Sequence, residues 1–357
     1  MVVRMARGSI VVIASYSGIL AAGLLGVSMV ASLYGIGMLD SMRILITSPF
    51  SDLLHFSEIF VRFIAIYTIA LGVSIALKAG LWNIGGEGQF LVGAVMALYI
   101  AKAIQAPYPQ LAMTIMILGA SLAAMLWALP PAFLKARFGV NEIVTTLMLN
   151  IVAASFTLYA LDGPIRGQAS YGYLLSDVLP PSLRFPVLLR IPMQTSTGIE
   201  WVDTRLSYSI FVTIALAVVL YIAIERSPLD IHLGVVGKDW RIASYAGINV
   251  FRVVVLTMLL AGALAGLSGA LHVMGVLYRF DSGQIDHGFG YLAVLAAALG
   301  RSRIPLTALT SLLISILVVG GESLLVTIGA TYAITWVAVG LMMIAIPIAE
   351  KIVGEKR

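Results

Sequence analysis

The chain has 357 residues, 60% hydrophobic and only 11% charged, with a mean hydropathy of +1.02; soluble domains carry about 25% charged residues, so a water-soluble fold is excluded and an all-α, polytopic membrane protein is indicated. The 22 basic and 17 acidic side chains leave a net charge of +5, but the basic residues are scattered singly and form no tract for a nucleic acid. Cysteine is absent, which excludes disulfides, thiolate metal sites and cysteine nucleophiles.

Ten apolar windows follow in chain order, at about 9–34, 59–77, 84–104, 111–134, 143–161, 207–225, 251–278, 289–299, 304–319 and 332–348, judged against the ~20 residues of a helix that crosses a hydrocarbon core. They predict one transmembrane domain over 1–357. Arg4 and Arg7 precede the first window, which is too long for a signal-peptide core and reads as a retained span. Gly18, Ala22 and Gly26 in the first window, and Gly262, Gly266 and Ala270 in the seventh, lie four apart and predict close helix packing. The eighth, GYLAVLAAALG, is too short to cross and is expected to begin part-way through the bilayer.

Orientation follows from the basic residues. With the N-terminus inside, 14 of the 22 fall in cytoplasmic segments, among them Lys78, Lys135, Arg137, Arg226, Lys238, Arg241, Arg301 and Arg303, as the positive-inside rule requires. Both termini are then cytoplasmic, 162–206 is an external loop, and 226–250 is the principal internal loop.

The third window opens with GLWNIGGEGQFLVGAV, where Asn83, Glu87 and Gln89 stand among glycines that weaken helix continuity. Freed backbone groups at membrane depth are tolerated only where protein or water satisfies them, so these side chains are expected to face the bundle interior. A second segment of the same kind, DSGQIDHGFGYLAVLAAALG, carries Asp281, Gln284, Asp286 and His287 ahead of the half-length eighth window. Each break is third within a five-window half, and matching breaks in inverted halves point to a transport pathway. Glu87 either lines that pathway or sits at a helix's first turn, where the dipole favours an anion. Asp281, Asp286 and His287 either line it or belong to a solvated loop. In FGVNEIVTTLMLN, Asn141 and Glu142 read as a helix N-cap and an acidic first turn, followed by a polar stripe of Thr145, Thr146 and Asn150 that either bonds neighbouring helices or meets substrate.

The internal loop VGKDWRIASYAGINVFR is amphipathic over its middle, with Ile242, Tyr245 and Ala246 on one face and Gly247 placed to stop a helix of about two turns. The phosphate-cradling G-x-x-x-x-G-K-[ST] pattern is absent, because Gly237-Lys238 continues into Asp239. There is no nucleophile elbow, zinc-protease or kinase signature, and the four histidines are too dispersed to propose a metal site. No catalysis is evident on this chain.

GLWNIGGEGQFLVGAVMA, FGVNEIVTTLMLN, VGKDWRIASYAGINV and GFGYLAVLAAALGRSRIPL, in that order, resemble the permease subunits of ABC importers of the ribose and branched-chain amino-acid type, nearest the nucleoside and simple-sugar branch. The resemblance runs from about Ala65 to the C-terminus. It departs at Lys238-Asp239-Trp240, where relatives usually show a different turn. It implies a cell-membrane location, a separate ATPase pair that binds ATP and Mg while this chain binds no cofactor, an extracytoplasmic binding protein, and a second permease subunit, commonly a different chain. It also implies that 239–247 is the coupling helix, with Asp239 at its start, Trp240, Ile242 and Tyr245 as apolar contacts to the ATPase, Arg241 as a rim charge and Gly247 as the stop. The expected cargo is a neutral, hydroxyl-rich solute, a nucleoside before a simple sugar. The competing class is an ion-coupled secondary transporter in which Glu87 and Asp286 bind the ion.

Overall fold

The structure, a computed structural model, describes residues 34–104, 108–168, 170–195, 198–285 and 287–328, with isolated positions in 25–32 and 340–341. Most of the tenth window, most of the first with Gly18 and Ala22, and Asp286 lie outside the described residues. The chain divides into two compact units, Met1–Arg62 with Leu313–Arg357, and Phe63–Leu312.

The described helices are α1 (Met38–Thr47), α2 (Leu53–Lys78), α3 (Gly86–Ala103), α4 (Pro109–Trp127), α5 (Leu129–Phe138), α6 (Glu142–Asp162), α7 (Ser209–Leu220), α8 (Leu229–Lys238), α9 (Trp240–Tyr245), α10 (Val250–His272), α11 (Phe289–Leu299) and α12 (Ile304–Ile328). Five helical stretches among the described residues are long and apolar enough to cross a membrane, or six if the bent pair Ser209–Glu225 and Leu229–Lys238 is one span. At 1.5 Å per residue, α11 is only about 16 Å long, roughly half a hydrocarbon core. It is a half-helix by length alone. Single π-helical turns, Tyr221–Glu225 and Val273–Leu277, extend α7 and α10.

The segment after α6 differs from the all-helical expectation. Strands β1 (Arg190–Thr195) and β2 (Gly198–Asp203) pair antiparallel, Arg190 opposite Asp203 and Thr195 opposite Gly198. The Arg190–Asp203 ion pair, 2.8 Å, closes the open end. No long apolar helix is available to this polar stretch, and pairing two short strands satisfies their backbone groups.

Within the larger unit, α10 is the central helix and packs on α3, α4 and α5. Small residues set these contacts: a Cβ on Gly266 would collide with Ala124 and the Ala120 carbonyl, and one on Gly93 with the Gly266 backbone. Helices that lack a hydrophobic drive to associate in lipid gain dispersion energy by this close approach. Large apolar side chains turn outward on α4 (Leu118, Leu122, Leu126) and α6 (Met148, Ile151, Tyr159), the surface that lipid covers. In the smaller unit, Arg62 bonds Glu322 at 3.0 Å with Glu58 at 4.0 Å, a buried charge group carried by helix residues.

Replacing Gly266 by valine should destabilise the protein by about 1–3 kcal/mol through overpacking. Gly234→Ala, where a Cβ meets open space, should be neutral. Melting curves of the purified proteins in detergent check this pair; equal melting temperatures would contradict the packing.

Candidate functional site

Helix α2 ends at Lys78, and Gly80 takes a left-handed turn (φ +72) that starts a non-helical stretch up to Gly85. The backbone groups freed there are met one by one. Asn83 Oδ1 accepts the Gly85 N–H at 3.0 Å, while Asn83 Nδ2 donates to Gln89 Oε1 at 3.1 Å. From α6, Glu142 Oε1 accepts the Trp82 N–H at 3.3 Å; Asn150 Nδ2 donates to the Ile84 carbonyl, and Asn150 Oδ1 accepts the Gly88 N–H, both at 2.9 Å. Glu142, Thr146 and Asn150 recur at four-residue spacing and so share one face of α6. The Thr146 Cβ also lies where a Cβ on Gly85 would meet it at 3.1 Å. The polar stripe of α6 therefore clamps the whole break.

The two broken segments meet. Glu87, buried in the first turn of α3, accepts the Gly288 N–H with Oε1 at 2.9 Å and the Gly290 N–H with Oε2 at 2.6 Å, at the start of α11. A carboxylate is the natural partner here, because the first N–H groups of a helix lack intrahelical acceptors and carry the positive end of its dipole. The approach requires glycine: a Cβ on Gly290 would strike the Glu87 backbone, and one on Gly86 would sit 3.5 Å from the Gly290 Cα. Asn150 adds a bond from Nδ2 to the Tyr291 hydroxyl at 3.2 Å.

Ahead of α11 the chain is held by itself. Asp281 Oδ1 accepts the Gly283 N–H at 2.9 Å, Gln284 Oε1 accepts the Asp281 N–H at 3.2 Å, and His287 Nδ1 lies 2.7 Å from the Gln284 carbonyl oxygen. The His287, His272, Phe289 and Phe90 rings form a contiguous aromatic cluster with centroids 5.1–6.3 Å apart. Among the described residues, no group of three metal-ligating side chains exists. Asn83, Glu87, Gln89 and Asn150 thus form one cluster, Asp281, Gln284 and His287 a second, and the α11 N-terminus joins them.

At another point of the same unit, Lys78 Nζ bonds Glu225 at 3.1 Å and Asp230 at 2.5 Å, and Glu225 accepts the Ile304 N–H at 2.7 Å. Gly237 packs against Lys78 and Gly80 backbone. Helix α9 is capped by Asp239, whose Oδ1 accepts the Arg241 N–H at 2.7 Å, and it stops before Gly247 (φ +78). Ile242 and Tyr245 stand out from the protein, Tyr245 at 93% exposure. Trp240 instead is half-buried against the apolar core, with Lys135 Nζ 5.5 Å from its ring centroid. Lys135 also pairs with Glu142 at 2.7 Å. Sequence reasoning did not single out Tyr291, Gly288, Gly290, Lys135 or the Lys78–Glu225–Asp230 group. The Gly288-x-Gly290 spacing before an apolar run, and charges flush with the window edges, were the available signals.

A family model for the permease component of the branched-chain amino acid transport system matches residues 55–347. The chain belongs to this family. The permease is similar to a glucose ABC transporter permease of Haloferax volcanii, 30% identical over 91% of this chain and 84% of that protein. It is also similar to a guanosine ABC transporter permease of Bacillus subtilis (29%; 77% and 75%) and a nucleoside ABC transporter permease of Lactococcus lactis subsp. cremoris (27%; 71% and 69%). No solved structure matches it. The permease is an integral membrane transport subunit of an ABC importer, not an enzyme.

Replacing Glu87 by glutamine sets an amide NH₂ against one of the two N–H donors. Leaving a buried donor unmet costs about 1–3 kcal/mol. The Gly288 and Gly290 amides should then exchange hydrogen faster than in the unmodified permease, as amide exchange by mass spectrometry would register; unchanged exchange would contradict the cap.

Proposed function

We propose that this permease carries a neutral, hydroxyl-rich solute into the cell, a nucleoside before a simple sugar, using ATP hydrolysed on a separate subunit. The observation that carries the reading is the similarity, over most of the chain, to permeases named for guanosine, nucleosides and glucose. The sequence holds no phosphate-cradling motif of its own, so ATP and Mg belong to a partner ATPase. A binding protein delivers solute to the outer mouth beside 162–206, and a second permease subunit of different sequence completes the pathway.

Ten membrane segments with cytoplasmic termini suit this reading, and contacts within the larger unit support the alternation. Lys78, Glu225, Asp230, Gly237 and the start of α12 meet at one place, and Lys135 meets Trp240; all lie in segments assigned to the inside or at the window ends that adjoin them. Lys102 bonds the Arg166 carbonyl, Leu175 pairs with Asp281, and Phe185 bonds Met274, joining segments assigned to the outside to each other and to the window ends that adjoin them. Ile242, Tyr245 and Arg241 form the exposed face of α9 that seats in the ATPase. Ion coupling through Glu87 is disfavoured, since both its carboxylate oxygens already accept backbone N–H groups.

Deleting the chain from its host should abolish high-affinity uptake of labelled guanosine or adenosine while glucose uptake stays near normal; loss of glucose uptake alone would favour the sugar reading. The double substitution Ile242→Ala with Tyr245→Ala should reduce ATPase retained on the purified complex at least tenfold. Full retention would overturn the docking role of α9.

A further inference from the structure

Four groups from four elements lie in an unbroken line. The Trp240 ring of α9 faces Lys135 Nζ of α5 at 5.5 Å, inside the ~6 Å reach of a cation–π contact. The same ammonium pairs with Glu142 Oε2 at 2.7 Å, and Glu142 Oε1 accepts the Trp82 N–H at the break before α3. Glu142 is buried and Lys135 largely so. A buried carboxylate held by a lysine on one oxygen and a backbone N–H on the other has little freedom to move independently of either.

We infer that Lys135 is a positioning residue that transmits displacement of α9 to the broken segment 79–85, and through it to the joined starts of α3 and α11. Trp240 serves this line from the inside while Ile242 and Tyr245 face outward, which gives the six residues of α9 two opposed tasks. Lys135 is suited to the middle position because its ammonium offers three donors and a full charge, so one group can hold a ring face and a carboxylate at once. Downstream the line does not end at Trp82. Glu142 shares its helix face with Thr146 and Asn150, so a shift of α6 at Glu142 moves the bonds to Ile84, Gly88 and Tyr291 together. A lone surface ion pair would carry no such consequence.

This inference rests on the proposed docking of α9 on an ATPase, and the test separates the two. In the full complex reconstituted in liposomes with its binding protein, Lys135→Met should keep the ATPase bound and its basal hydrolysis unchanged. Maximal uptake should fall at least tenfold, so that the ATP hydrolysed per solute rises by the same factor, while the solute concentration for half-maximal uptake stays constant. Lys135→Arg should recover more than half of the uptake. Trp240→Leu should show the same loss, and the double variant should be no worse than the poorer single one, since both break one line. Normal uptake per ATP in Lys135→Met, failure of the arginine to rescue, or multiplying losses in the double variant would each overturn the relay. If Lys135→Met fails to fold, Trp240→Leu decides by the same ratio. Loss of bound ATPase in the Ile242→Ala, Tyr245→Ala protein with normal uptake per ATP in Lys135→Met would leave docking standing and remove only the relay.

Discussion

A helix that starts inside a membrane exposes N–H groups with neither water nor a preceding turn to meet them. This permease brings two helix starts together, at Gly86 and Phe289, so that one buried side chain, Glu87, serves in its own first turn and caps the other helix. Much of the surrounding chemistry follows. Glycine is required at 290 because the two backbones touch, the α6 stripe is required because the break leaves Trp82, Ile84 and Gly88 with groups to satisfy, and Asn83 and Gln89 bond each other for the same reason. The polar side chains that make this sequence unusual are thus partners of irregular backbone first.

That arrangement bears on how a permease works. Glu87 with Asn150 ties α3, α6 and α11 at one point. Force applied from one side then shifts a unit instead of unravelling a helix. The ion group of Lys78, Glu225 and Asp230, with the Ile304 N–H, fixes the loop bearing α8 to neighbouring helix ends, so α9 is presented on a stiff mount.

Much of the architecture was legible because it is local. The apolar windows mark α2, α4, α6, α10 and α12; the glycines of 80–88 mark the break; Asp239 and Gly247 bracket α9; and Gly262 and Gly266 mark close packing. What sequence could not give were partners far along the chain. Nothing near Glu87 announces that its acceptors serve residues 201 and 203 positions later. Periodicity puts Ile242 and Tyr245 on one face, and only the family resemblance groups Trp240 with them; the structure turns Trp240 to the core and leaves the other two exposed. The β1–β2 hairpin was hidden by Pro192, which demotes a strand reading.

As the permease of an ABC importer, the chain should act as a gated conduit that draws its work from another subunit. Solute accumulation in sealed liposomes tests this most directly, comparing the purified chain alone with the chain assembled with its ATPase, companion permease and binding protein. The assembled transporter should concentrate nucleoside inside only when ATP is supplied, and the lone chain should move none uphill under any ion or proton gradient. Concentrative uptake by the lone chain on such a gradient would contradict the account.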